Sequence, residues 1–130
     1  MILPVTLSMF AAAAIMAMWL GIRVGRVRVK ERISHGDGGN ALLGRRMRAQ
    51  LNYVEYTPFV LLLIGAIELS GRGAPWLPFV AGAYIVARVL HAFGMDDEVG
   101  DWKRGVGIAV TMLALLGLGI YAALIAAGVA

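Results

Sequence analysis

The chain has 130 residues, of which 60% are hydrophobic and only 15% charged, and its mean hydropathy is +0.78. Ordinary soluble domains are about half apolar and about a quarter charged, and so short a chain cannot bury this apolar excess in one water-exposed core. The absence of cysteine excludes a secreted disulfide scaffold and the recurring apolar runs exclude disorder, so the composition predicts one integral membrane domain.

Apolar segments along the chain predict an all-α membrane domain over residues 1–130, a bundle of four transmembrane helices. The predicted spans are residues 2–24, 43–69, 74–95 and 104–128. No Lys or Arg precedes the first span, so it reads as a retained helix rather than as a signal peptide. The second span is the least regular, because its cytoplasmic third carries Asn52, Glu55 and Pro58. The third is interrupted only by Arg88 and His91.

The placement of Lys and Arg predicts which side of the membrane each connection faces. Two basic residues, Lys103 and Arg104, follow the third connection, whereas the second connection holds Arg72 alone. The first connection and its flanks hold Arg23, Arg26, Arg28, Lys30, Arg32, Arg45, Arg46 and Arg48. The positive-inside rule then places both termini on the non-cytoplasmic side. The expected location is an inner or plasma membrane. Membrane topology, aided by attraction to anionic lipid head groups, therefore explains the net charge of +4. No nucleic-acid partner is predicted.

A polar stripe on the second span is the first candidate site. It holds Arg45, Arg48, Asn52 and Glu55, with Gln50 and Tyr56 at its borders. Spacings of three and four residues put these side chains on one helix face. Ionisable groups at membrane depth are costly and therefore point to function, and a cation, an amide and an anion at successive turns suit a zwitterionic ligand. The alternative is that Arg48 and Glu55 only stabilise the bundle while Arg45 and Arg46 reach the head groups.

The third span carries a second polar face, formed by Tyr84, Arg88, His91 and Met95. His91 alone is more often a packing residue than a catalyst. No metal site is predicted, because His35 is the one other histidine and cysteine is absent. Arg104, at the start of the fourth span, is either a topological anchor or a fixed cation aimed into the site.

The remaining acidic residues are predicted to be structural. We expect Glu68, near the outer end of the second span, to face Arg72 or water. The connection before the fourth span is expected to be a solvated loop. Its acidic residues are Asp96, Asp97, Glu98 and Asp101.

The second-span segment RAQLNYVEYTP (Arg48–Pro58) resembles the second-helix signature of the membrane-associated proteins in eicosanoid and glutathione metabolism (MAPEG). The leukotriene C synthase branch reads R-A-Q-x-N-x-x-E-Y-x-P there, and the prostaglandin E synthase branch reads R-A-H-x-N-x-x-E. Gly25–Lys30 resembles the first-helix exit of the second branch. Arg88–His91, with Arg104 thirteen residues after His91, resembles its third-to-fourth helix region. The likeness covers nearly the whole chain and is that of a bacterial-type member, similar also to microsomal glutathione transferase.

This resemblance implies a homotrimer that binds glutathione between subunits near the cytoplasmic face. By position, Arg104 would stabilise the glutathione thiolate, which an adjacent cation favours. The residues that would bind glutathione are Arg28, Arg48, Gln50, Asn52, Glu55, Tyr56, Arg88 and His91. The implied reaction is glutathione transfer to lipophilic electrophiles or reduction of lipid hydroperoxides. Met95 and Gly105 depart from the family, since active relatives have a tyrosine at the first position and the prostaglandin branch a serine at the second.

Two other functions remain open. The same pocket suits a lipid-binding or scaffold trimer without catalysis, because the family contains such a member. A small proton-coupled drug exporter also has four short spans. Such exporters carry a key glutamate in the first helix, and this first helix has no acid, which disfavours that function.

Overall fold

The computed structural model describes residues 2–130, which form four helices joined by short connections. The helices are α1 (Pro4–Glu31), α2 (Ala41–Leu69), α3 (Leu77–Gly94) and α4 (Trp102–Ala126). No strand occurs within residues 2–130, so the predicted all-helical class with four helices is confirmed.

The helices pack as a ring. α1 packs mainly on α2 and α3 mainly on α4, while α2 also contacts α4 and α1 contacts α3. α2 and α3 touch across the centre, whereas α1 and α4 lie diagonally apart in the region covered by the structure. The C-termini of α1 and α3 and the N-termini of α2 and α4 share one end of the bundle, called here the cytoplasmic end because the sequence predicts it to be so. The polar residues of α2 and α3 therefore approach each other near this end.

Three helices, α1, α3 and α4, are long and apolar enough to cross a membrane. α2 does not meet that standard because Arg45, Arg46, Arg48 and Glu55 fall in its first half. Apolar side chains such as Phe59, Phe79 and Leu113 are exposed on the outside of the bundle, where lipid can solvate them. The chain is an integral membrane protein.

Three of the four helices, α1, α2 and α4, start where a side chain satisfies one or two of the first free amides. Asn40 accepts a hydrogen bond from Leu43 N at the start of α2, and Asp101 accepts one from Lys103 N at the start of α4. At the start of α1 the partner comes from α2, because the Glu68 carboxylate accepts bonds from the Val5 and Thr6 amides. The expectation that Glu68 faces Arg72 or water is therefore wrong.

The predicted sidedness can be tested with reporter fusions. A reporter inserted at Gly38, in the α1–α2 connection, is expected inside the cytoplasm, and one fused after Ala130 is expected outside. The measurement is the activity of a reporter enzyme that folds on one side only. The opposite pattern would contradict the sidedness and place the site described below in the wrong compartment.

Candidate functional site

A buried polar cluster lies between α2, α3 and α4 towards the cytoplasmic end. Arg88 of α3 is 1% exposed. Its Nη2 donates to Asn52 Oδ1 at 2.6 Å and lies 3.2 Å from His91 Nδ1. Its Nη1 donates to Thr111 Oγ1 at 3.1 Å. Three predicted site residues are thus in direct contact, and Thr111 joins them.

The charge of Arg88 has no counter-ion within residues 2–130. Its hydrogen-bond partners are all neutral side chains, it forms no ion pair there, and its Nε has no hydrogen-bond partner. Holding an unpaired cation away from water costs several kcal/mol, and an anion bound nearby offsets that cost. The cluster is therefore suited to an anionic ligand.

Two glycines let α3 and α4 approach closely beside this cluster. A Cβ at Gly94 would overlap the backbone nitrogen of Arg104, and one at Gly107 would lie 2.5 Å from His91 Cβ. Arg104 is consequently held one turn on the cytoplasmic side of His91. Its exposed guanidinium makes no hydrogen bond or ion pair with any described residue. The fold thus presents a free cation next to the cluster.

This close approach yields a prediction about stability. Gly107→Ala is expected to destabilise the protein by about 1–3 kcal/mol, because the added methyl group overpacks the α3–α4 contact. Gly117→Ala is the matched control, since nothing lies within 4 Å of its added Cβ. Thermal unfolding in detergent measures both. Equal unfolding temperatures for the two variants would show that the helices separate without cost.

Arg48 and Glu55 of α2 lie on the outer surface of the single chain. They pair with each other at 3.6 Å, with side chains 58% and 40% exposed. Glu55 and Tyr56 line an open groove of about 610 Å³ between α2 and α4, where the other lining residues are apolar. Because the sequence predicts that α2 crosses the membrane, a charged pair on its outer face is expected to need a cover other than lipid.

Arg28 and Gln50 line a different groove, of about 720 Å³, between α1 and α2. Arg28 donates to the Gly36 carbonyl oxygen at 2.8 Å and to Met47 Sδ at 3.4 Å. Arg48 lines this groove as well. One chain therefore distributes the predicted site residues over the buried cluster and two outward grooves and does not unite them in a single cavity.

Sequence reasoning missed a second charged cluster, which is centred on Asp96 in the α3–α4 connection. The Asp96 carboxylate accepts from Arg23 Nη2 and, through both oxygens, from Arg46 Nη2 at 3.1 Å and Arg46 Nε at 3.2 Å. Its backbone oxygen accepts from Arg45 Nε at 3.2 Å. The expectation of a solvated acidic loop is therefore wrong for Asp96, and so is the idea that Arg46 only reaches for head groups.

Comparison with known proteins identifies the family to which the chain belongs. Residues 6–124 match the MAPEG family. The chain belongs to this family. It is also 31% identical over 105 residues to the inner membrane protein YecN of Escherichia coli strain K12, covering 80% of this chain and 79% of YecN. YecN of Escherichia coli O6:H1 strain CFT073 gives the same identity and coverage.

The residues of the MAPEG signature on α2 divide between the buried Arg88 cluster and the outer face of the helix. Asn52 points to the buried cluster, where it contacts Arg88, whereas Arg48 and Glu55 face outward. Of the two positions at which the resemblance implies a departure from the family, Met95 is buried at the end of α3 and Gly105 is exposed on α4. One feature of the sequence could have pointed to Thr111 as a site residue, namely its hydroxyl group in an otherwise apolar stretch.

Proposed function

We propose that this MAPEG protein binds glutathione and transfers it to lipophilic electrophiles, or uses it to reduce lipid hydroperoxides. The inner membrane is the proposed location, as it is for YecN. The observation that carries the proposal is the free guanidinium of Arg104, whose backbone packs against Gly94 one turn from the Arg88 cluster. A cation in that place favours the thiolate of a glutathione whose thiol reaches it.

The chemistry follows from the thiolate. The chain has no cysteine, so the nucleophile arrives with glutathione. In conjugation, the sulfur forms a bond to the electrophilic carbon and the displaced electron pair leaves with the leaving group or moves onto the acceptor. With a hydroperoxide, the sulfur attacks the terminal oxygen and an alcohol leaves. A second glutathione then yields the disulfide and water.

A homotrimer is part of the proposal. Arg48 and Glu55 are exposed in one chain although they lie on α2, which the sequence predicts to span the membrane. A neighbouring subunit would cover them and would bring an α1–α2 groove, with Arg28 and Gln50, against an α2–α4 groove, with Glu55 and Tyr56. The glutathione peptide would then lie between subunits, with its carboxylates on arginines and its amine on Glu55.

Binding and assembly can be tested together. Protein purified in mild detergent is expected to bind glutathione saturably in equilibrium dialysis and to have a trimeric mass by light scattering. S-methyl glutathione serves as the control, because it keeps the peptide contacts and cannot ionise. A monomeric mass with glutathione binding intact would contradict the inter-subunit site.

A scaffold trimer that binds without turnover is the second candidate, and Met95 favours it. Its thioether stands where active relatives carry a tyrosine hydroxyl, and a thioether cannot donate a hydrogen bond. Saturable glutathione binding without conjugation of any lipophilic electrophile would support the scaffold and exclude the enzyme. Recovery of conjugation in Met95→Tyr would assign the difference to this position.

A further inference from the structure

The α3–α4 connection, residues 95–101, carries the chain into the turn that holds Arg104, and the side chain of Asp96 binds this connection to two other helices. Asp96 receives Arg23 from α1 and Arg46 from α2, while Arg45 of α2 donates to its backbone oxygen. Three cations from two other helices thus converge on one residue of the connection. We refer to Asp96, Arg23 and Arg46 as the Asp96 clamp.

The clamp is shielded from water on the α1 side. The Arg23 side chain is 8% exposed, and its guanidinium carbon lies 4.8 Å from the centre of the Trp19 ring and 5.2 Å from that of Phe93. Its other terminal nitrogen donates to the Ala92 carbonyl oxygen at 3.0 Å. Charge-assisted hydrogen bonds in such surroundings are short and directional. Asp96 is therefore held in one place relative to α1 and α2.

The clamp connects directly to the position of Arg104. Asp96 follows Gly94 by two residues, and Gly94 is the surface against which the Arg104 backbone packs. At the other end of the connection, Asp101 accepts a hydrogen bond from Lys103 N at the first turn of α4. On the α2 side, Arg45 and Arg46 precede Arg48 by less than one turn. The clamp therefore sets the start of α4 relative to the helix that carries Arg48 and Glu55.

We propose that Asp96 is a positioning residue for Arg104, an inference that rests on the proposed function. Through Arg23 and Arg46, Asp96 keeps Arg104 at a fixed distance from Arg48 and Glu55. Arg104 is the cation proposed to stabilise the thiolate, and the two α2 residues are proposed to bind the glutathione peptide. Misplacement of such a group by about 1 Å can cost roughly 100-fold in rate. The clamp itself touches no ligand, so its loss should affect ionisation more than binding.

The first test compares Asp96→Asn with Glu98→Gln. Both remove one negative charge from the same connection. The Glu98 side chain, however, is 82% exposed, and its ion pair with Arg45 is long, at 4.0 Å. For Asp96→Asn we expect the pKa of bound glutathione to rise by about one unit, a roughly tenfold loss of thiolate near neutral pH. Its dissociation constant should stay within about threefold. Asp96→Glu should restore most of the thiolate, and Glu98→Gln should resemble the wild type. A wild-type thiol pKa in Asp96→Asn would overturn the proposal.

The second test needs no glutathione. Hydrogen exchange measured by mass spectrometry should be faster over residues 103–107 in Asp96→Asn and unchanged in Glu98→Gln. If the wild type forms no thiolate, the proposed function fails, and this measurement alone judges the clamp: faster exchange supports it and unchanged exchange overturns it. If the Asp96→Asn protein loses its helical circular dichroism, the Arg46→Gln variant replaces it in this test, because Arg46→Gln leaves the Arg23–Asp96 pair intact. Faster exchange over residues 103–107 in Arg46→Gln would again support the clamp, and unchanged exchange would overturn it.

Discussion

Replacing Arg104 with alanine is expected to lower the rate of glutathione conjugation by about 10²–10³ while glutathione affinity stays within a few-fold. The reason is that Arg104 is proposed to act on the sulfur, whose charge develops at the reacting centre, and not on the peptide. Its guanidinium makes no hydrogen bond or ion pair with any described residue that would be lost with it. Global stability should therefore be unchanged, which separates a loss of chemistry from a loss of fold.

The pH dependence gives this prediction a second signature. A free thiol ionises near pH 8.5, and a nearby cation shifts that ionisation to lower pH. The wild-type rate should therefore already be level near neutral pH, whereas the Arg104→Ala rate should still rise as the pH approaches the ordinary thiol value. Arg26→Ala is the control, because Arg26 is an exposed cation of α1 near the same end of the bundle. An Arg104→Ala enzyme with wild-type rate and pH profile would make Arg104 a topological anchor only.

Replacing Glu55 with glutamine, or Arg48 with alanine, is expected to weaken glutathione binding by at least about 30-fold. Losing one partner of a charge-assisted contact in a desolvated interface costs about 2–5 kcal/mol. The pair that these residues form in the single chain is long and exposed, and such surface pairs contribute about 0–1 kcal/mol to stability. We therefore expect a large change in affinity with little change in the unfolding temperature. Isothermal calorimetry and thermal unfolding measure the two effects.

Glu68→Gln is the reciprocal control for this prediction. Glu68 lies on the same helix but accepts three hydrogen bonds, from two amides and the hydroxyl of Thr6, at 2.6–3.0 Å. Weakening these bonds should lower the unfolding temperature and leave glutathione affinity unchanged. If Glu55→Gln instead lowered the unfolding temperature and kept the affinity, Arg48 and Glu55 would be structural residues of the bundle.

The helices were predictable from the sequence because hydropathy reports on one helix at a time. The weak apolar signal of the second span also had a structural counterpart, since four of the five charged residues of α2 lie between Arg45 and Glu55. Partnerships between helices were not predictable in this way. Asp96 binds Arg23, which is 73 positions earlier, and Glu68 binds Thr6, which is 62 positions earlier. Without knowing which helix faces which, both carboxylates were assigned to water or to a near neighbour.

The same distinction applies to the candidate site, where features within one helix were predictable and contacts between helices were not. Periodicity put Arg88 and His91 on one face of the third span, and the structure places them in contact. Periodicity cannot say that Asn52 faces the same cluster, or that Thr111 of α4 completes it. The close approach that positions Arg104 depends on Gly94 and Gly107, which on their own read only as small residues in an apolar helix. These features need the α3–α4 packing and not only the helix pattern.

The most direct test of the central claim is an ultraviolet titration of the detergent-purified wild type with glutathione. Arg104 beside the Arg88 cluster predicts a saturable thiolate absorbance near neutral pH, where free glutathione is largely protonated. The S-methyl analogue should bind without that absorbance. Added to the glutathione complex, it should displace glutathione and so remove the thiolate absorbance. Saturable binding of glutathione with no thiolate absorbance at any neutral pH would contradict the account.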